Sequence, residues 1–303
     1  MSADVDRDNL RLTPASIAPL FLLPKIESIY TRGLSYWGDD YDVDYRNDHP
    51  GFSLAARSST IQNLFFEDAH EGDVQHAIMK MVDAAKSLKS IVFKKCKFDD
   101  FDILVGKLGR QHGESLEDLV YIDNEELRGY RCQSFRPEHI HGLSNIRTIT
   151  LEMDDVRLES LYRCETAECA NGMSGNVGSY EEFVQLVSEE LVPSGLETLI
   201  FSSAHASLNK NDVKAIDDAL IKLVQEGPGS LKSIHLELVE KDIQRSGRDP
   251  CLDASGTWFR RLVECGNEHG IKVYTGLDQR STARGVAEIM EPIYGFCSPD
   301  YSD

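Results

Sequence analysis

Seven six-residue stretches along the chain place apolar residues at the first, fourth and sixth positions and polar residues at the second and third. They are Ile26–Thr31, Ile61–Phe66, Leu88–Phe93, Leu116–Tyr121, Ile146–Leu151, Leu196–Phe201 and Leu231–Leu236, and Thr31 alone departs from the apolar rule. Alternation at the fourth and sixth positions is the two-residue period of a strand with one face in a core. Recurrence of the whole hexamer marks a repeat architecture, and this takes precedence over any element-by-element reading. Hexamer starts lie 35, 27, 28, 30, 50 and 35 residues apart.

Between hexamers the period becomes helical. Val74, Ala77, Ile78, Met81, Val82 and Ala85 form one apolar face, and Phe101, Leu104, Val105 and Leu108 repeat it. Phe183, Leu186, Val187 and Leu191 predict another helix, and Val213, Ile216, Leu220, Leu223 and Val224 the longest. Phe259, Leu262 and Val263 make a shorter one, followed by a last strand near Ile271–Tyr274. Ser179 with Glu182 has the spacing of a capping box, and Asp99 and Asn211 suit N-caps. Gly227-Pro228-Gly229 stops the longest helix before the next strand.

Strands joined in sequence by helical crossovers must run parallel, with right-handed connections. The expected fold is therefore α/β: a solenoid curled into a horseshoe, its parallel sheet concave and its helices convex. An α/β barrel shares the alternation, but barrel strands are usually continuous apolar runs without a fixed polar pair. Residues 14–277 are expected to form the repeat domain, after a disordered N-terminus at 1–13. Insertions are expected near 38–50, 163–178 and 241–256, with a C-terminal cap or tail at 278–303.

Charge then narrows the choice of partners. The formal net charge is −19, which opposes phosphate backbones and anionic membranes, so neither nucleic acid nor a membrane is the expected partner. Seven cysteines without a Cys-x-x-Cys pair suit reduced thiols, and the charged first residues lack the apolar core of a signal peptide. The expected location is cytoplasmic or nuclear. Oligomeric state is not legible.

With its downstream residues, the hexamer resembles the leucine-rich-repeat superfamily, whose motif is Leu-x-x-Leu-x-Leu-x-x-Asn/Cys. Cys96 and Asn124 occupy the ninth position of their copies, whereas Leu34, Ala69, Asp154, Ala204 and Val239 depart from it. Repeats of this length look like the ribonuclease-inhibitor-like class. The irregular spacing, acidic loops and Leu-Lys-Ser-Ile strands resemble the repeat regions of fungal F-box proteins. That resemblance implies substrate recognition for a ubiquitin ligase, although no F-box is legible before Ile26.

Strand alternation assigns the fifth hexamer position to the concave face. The column is Tyr30, Phe65, Val92, Val120, Thr150, Ile200 and His235, mostly apolar on a face expected to meet water. Two readings stand: a ladder of stacked neighbours that stabilises the sheet, and a stripe that binds a protein partner. Beside it run Arg32, Glu67, Lys94, Ile122, Glu152, Ser202 and Glu237.

Other chemistry is thin. Asp40, Asp42 and Asp44 begin like a calcium loop, but Tyr45 stands where that loop needs Gly. Gly172, Gly175 and Gly178 follow no predicted strand, so they are read as a loop rather than a dinucleotide fingerprint. His139 and His141 lack a third ligand, and Cys164 with Cys169 is half a metal site. No nucleophile elbow, Walker loop or zinc-protease motif is present. The expectation is a protein-interaction module rather than an enzyme, with no cofactor and no metal. The alternatives are an enzyme on a barrel-like fold, or a truncated repeat protein without a partner.

Overall fold

The computed structural model describes residues 12–34, 53–67, 69, 72–94, 96, 101–122, 140, 142–152, 192–202, 210–237 and 259–276. The chain forms two compact units, Met1–Arg131 and Cys132–Asp303. Both are α/β. Unit 1 holds β1 (Ser28–Arg32), β2 (Asn63–Glu67), β3 (Ser90–Lys94) and β4 (Asp118–Ile122). Unit 2 holds β5 (Thr148–Glu152), β6 (Thr198–Ser202), β7 (Ser233–Glu237) and β8 (Lys272–Gly276). Within each unit consecutive strands pair in parallel.

Hexamer positions meet their equivalents across every one of these pairs: Ile29 opposes Leu64, Leu64 opposes Ile91, and Ile91 opposes Leu119. The cause lies in the backbone where each strand begins. The carbonyl of the second-position residue accepts from the second- and third-position N–H groups of the next copy. Glu27 O takes Gln62 and Asn63 at 2.8 and 3.0 Å, Gln62 O takes Lys89 and Ser90, and Lys89 O takes Glu117 and Asp118. Arg147, Glu197 and Lys232 continue the series in unit 2. A short turn precedes the hexamers: the first-position N–H of Ile146, Leu196 and Leu231 bonds the carbonyl three residues back.

Helices occupy the connections as the periodicity predicts. α1 (Pro14–Ile17) is capped by Thr13, whose Oγ1 accepts from Ser16 N at 3.3 Å, and it runs into a 3-10 turn at Ala18–Leu22. Leu12 bridges in parallel to Leu34. α2 (Gly72–Ala84) buries Val74, Ala77, Ile78, Met81 and Val82, and α3 (Phe101–His112) buries Leu104, Val105 and Leu108. α4 (Lys210–Glu226) ends at the Gly-Pro-Gly stop, and Asn211 lies one residue inside it instead of capping it. α5 (Arg260–His269) starts after Phe259, buried at a left-handed φ of 58°, and ends at Gly270 with φ 73°. A Cβ on Gly266 would stand 2.6 Å from Val273 Cγ2 and 2.7 Å from Ile271 O, so α5 approaches β8 too closely for a side chain.

The core is the fourth- and sixth-position residues with these helical faces. Leu64, Phe66, Ile91, Phe93, Leu119, Leu199, Phe201 and Ile234 are fully buried, and the Phe66 and Phe93 rings stack with centroids 5.7 Å apart. The ninth position is buried too, at Leu34, Ala69 and Cys96. Cys96 Sγ donates to Phe66 O at 3.3 Å, the satisfying role expected where the chain leaves the strand. The expected insertions at 38–50, 163–178 and 241–256, the cap at 278–303 and the helix at Phe183–Leu191 lie outside the described residues. So do Asp99, Ser179, Glu182 and Asn124.

Candidate functional site

In each unit the backbone register aligns the third, fifth and seventh positions in three rows. In unit 1 the register aligns Ser28, Asn63, Ser90 and Asp118, then Tyr30, Phe65, Val92 and Val120, then Arg32, Glu67, Lys94 and Ile122. Asn63 Nδ2 donates to Ser28 Oγ at 2.9 Å, while the buried Ser90 hydroxyl has no hydrogen-bond partner. The Tyr30 ring leans on Phe65 with centroids 4.9 Å apart.

Tyr30 Oη donates to the Glu67 carboxylate, which Lys94 Nζ also meets at 2.9 Å. Burial alone would raise the Glu67 pKa. Hydrogen bonds from Tyr30 and Lys94, with the charges of Lys94 and Arg32, outweigh burial and hold it below the usual carboxylate value. Glu67 and Lys94 of the seventh row, with Tyr30, are therefore a bonded network.

Unit 2 carries the third and fifth rows in the same way. Thr198 Oγ1 and Ser233 Oγ lie 3.1 Å apart in the third row. The fifth row runs Thr150, Ile200, His235 and Tyr274, with the His235 and Tyr274 rings stacked at 4.5 Å and 15°. The Thr150 hydroxyl is buried without a partner.

One expectation about this column needs correction. The face was read as open to water, yet Phe65, Val92, Val120, Thr150 and Ile200 are all buried, with Phe65 the most accessible at 7%. In-register neighbours stack along the column, so Val92 sits between Phe65 and Val120. Tyr30 is 40% exposed and Tyr274 44%, with His235 between the extremes. The register brings the predicted residues together as two in-line sets, but only Tyr30, His235 and the unpredicted Tyr274 offer contact surface.

Sequence reasoning also missed a hydroxyl just before the hexamer. Thr60 Oγ1 donates to Ile26 O at 3.2 Å, Ser115 Oγ to Leu88 O at 2.8 Å, and Ser230 Oγ to Leu196 O at 2.8 Å. Each ties one repeat to the first-position carbonyl of the previous one. The signal was available, since Thr60, Ser87, Ser115 and Ser230 recur at that position.

A second cluster, Asp217, Cys265 and His269, lies on α4 and α5. His269 Nδ1 lies 2.9 Å from Cys265 O and 3.8 Å from Sγ. Burial, with the nearby Glu268 charge, pushes the Cys265 thiol up, and burial also pushes the Asp217 carboxyl up. A reactive thiol needs the opposite shift. Among the described residues no group of three or more His, Cys, Asp or Glu is arranged to hold a metal ion. No helix among them is long and apolar enough to cross a membrane. Asp40, Asp42, Asp44, Gly172, Gly175, Gly178, His139, His141, Cys164 and Cys169 lie outside the described residues.

Comparison with family profiles, with curated proteins and with solved structures finds no match for this chain.

Proposed function

We propose that this chain is a leucine-rich-repeat solenoid that binds a protein partner across its sheet face. The position-for-position register carries this reading, because equivalent residues of every paired copy line up without stagger. A repeat solenoid has that property, whereas closing a barrel requires the register to shear around the ring. Binding is centred on Tyr30 in unit 1 and on His235 and Tyr274 in unit 2. Exposed aromatic groups on a rigid sheet give large contact area at low entropic cost. The buried part of the column, Phe65, Val92, Val120, Thr150 and Ile200, supports the face rather than touching the partner. By its resemblance to fungal F-box repeats, the module selects a substrate for a ubiquitin ligase, acting without catalysis, cofactor or metal in the cytoplasm or nucleus.

Site-specific photocrosslinking tests the binding face. A benzophenone side chain at Tyr30 or Tyr274 captures a discrete protein, and the same probe at Ile103, 48% exposed on α3, does not. Equal capture at Ile103, or none at either tyrosine, removes the sheet face as the site.

A further inference from the structure

We propose that His112 is a pH-sensitive latch: its neutral ring ties consecutive repeats of unit 1 together, and protonation releases them. The ring sits at the C-terminus of α3, 2% exposed. Its Nδ1 lies 3.3 Å from the backbone N of Leu88, the first residue of the third hexamer. Its Nε2 lies 3.0 Å from Val82 O, in the last turns of α2. An amide N–H only donates and a carbonyl only accepts. Nδ1 must therefore be bare and Nε2 must carry the single proton, which is the neutral ring and one tautomer of it.

Three elements meet at this side chain: the end of α2, the lead into β3, and α3 itself. The backbone of His112 extends the joint, since its carbonyl accepts from Ser115 N at 2.8 Å and from Leu116 N at 2.7 Å at the start of the fourth hexamer. Adding a proton to Nδ1 would turn an acceptor toward the Leu88 N–H into a donor. Two buried donors would then face each other, so the contact must open.

Burial sets the direction, lowering the pKa of the ring, and the surrounding charges act in opposite senses. Arg57, from the connection leading to β2, opposes protonation of the ring, and Asp83, on α2, favours it. Asp83 is itself occupied by Lys107 Nζ at 2.5 Å and Gln111 Nε2 at 2.6 Å, both on α3. Burial, the largest influence, lowers the histidine pKa from its ordinary value, the Val82 hydrogen bond raises it, and Arg57 lowers it further. The folded pKa thus lies below the 6.5 of a free histidine. The latch is fully closed above that value, and stability drains away as pH falls from there toward the folded pKa. This device is independent of what the sheet face binds.

Backbone amide exchange of Leu88 in the full chain, expressed as protection factors from about pH 7.5 to about pH 5.5, reads the latch in the window where histidine titrates. One coupled proton makes protection fall by up to about tenfold per pH unit below the ordinary value, until the folded pKa is reached. His112→Gln, which has no titrating ring, keeps a flat profile. Equal slopes in the two proteins overturn the proposal. Should His112→Gln not fold, imidazole nitrogen shifts of the native protein decide it. A proton on Nε2 and a titration midpoint below 6.5 support the latch, whereas a proton on Nδ1 or a midpoint at or above 6.5 overturns it.

Discussion

Replacing Val92 by Ala separates a packed column from a binding stripe. Val92 is 0% exposed, in register with Phe65 on one side and Val120 on the other. Removing two carbon groups forfeits about 1.6 kcal/mol of transfer free energy at about 0.8 kcal/mol each. The cavity left between stacked neighbours adds up to about 1 kcal/mol where the strands cannot close over it. The expected loss is therefore about 1.6–2.6 kcal/mol. In a urea titration followed by far-ultraviolet circular dichroism, that lowers the midpoint by on the order of 1 M, with the slope unchanged. Ile103→Ala, at a position 48% exposed, is the control and costs less than about 0.5 kcal/mol. Val92→Asp puts an unpaired charge in the same place and unfolds unit 1 outright. If Val92→Ala instead stays within about 0.5 kcal/mol of the native protein, the column is not packed and the burial-based reasoning fails.

Two further perturbations probe the seventh row and the close approach of helix to strand. Glu67→Gln lowers stability at neutral pH by about 1 kcal/mol or less, because its carboxylate is held ionised by Tyr30 and Lys94. With its folded pKa below the ordinary value, Glu67 adds stability above that value and loses it as pH falls through the folded pKa. Denaturation curves of native and Glu67→Gln protein must therefore converge in acid. Gly266→Ala forces a Cβ to within 2.7 Å of the Ile271 carbonyl and costs about 2 kcal/mol or more, whereas Gly229→Ala meets nothing within 4 Å and is near neutral. Thermal melting of the two variants side by side checks the contrast.

How much of this was legible follows from which forces are periodic. The hexamer encoded strand position, parallel pairing and helical connections, because core burial repeats with the two-residue and 3.6-residue periods. Cys96 was legible as the ninth residue of its copy, and its contact with Phe66 O follows from that place at the end of the strand. Burial on both faces was misjudged by assuming that one face of a strand meets water. The triplets Leu64-Phe65-Phe66, Ile91-Val92-Phe93 and Leu199-Ile200-Phe201 carried the contrary signal, since parallel strands buried on both sides are continuously apolar. The hydroxyl ties at Thr60, Ser115 and Ser230 escaped notice because Ser and Thr are ordinary turn residues. Their role shows only when the previous repeat's carbonyl is in place. His112 left no sequence mark, for a single histidine at the end of a helix has no period at all.

The register has a consequence for how such a gene can vary. Strand starts lie 27 residues apart from Asn63 to Ser90 and 50 from Thr148 to Thr198, yet each pair meets position for position. Codons gained or lost between hexamers are thus invisible to the ladder, and connections are free to drift in size from one lineage to the next. A single codon gained inside a hexamer is another matter. It would turn every downstream side chain of that strand to the opposite face, carrying Phe93 out of the core and into the place of Lys94. Natural length variation in this chain should accordingly fall almost wholly outside its repeated six-residue words.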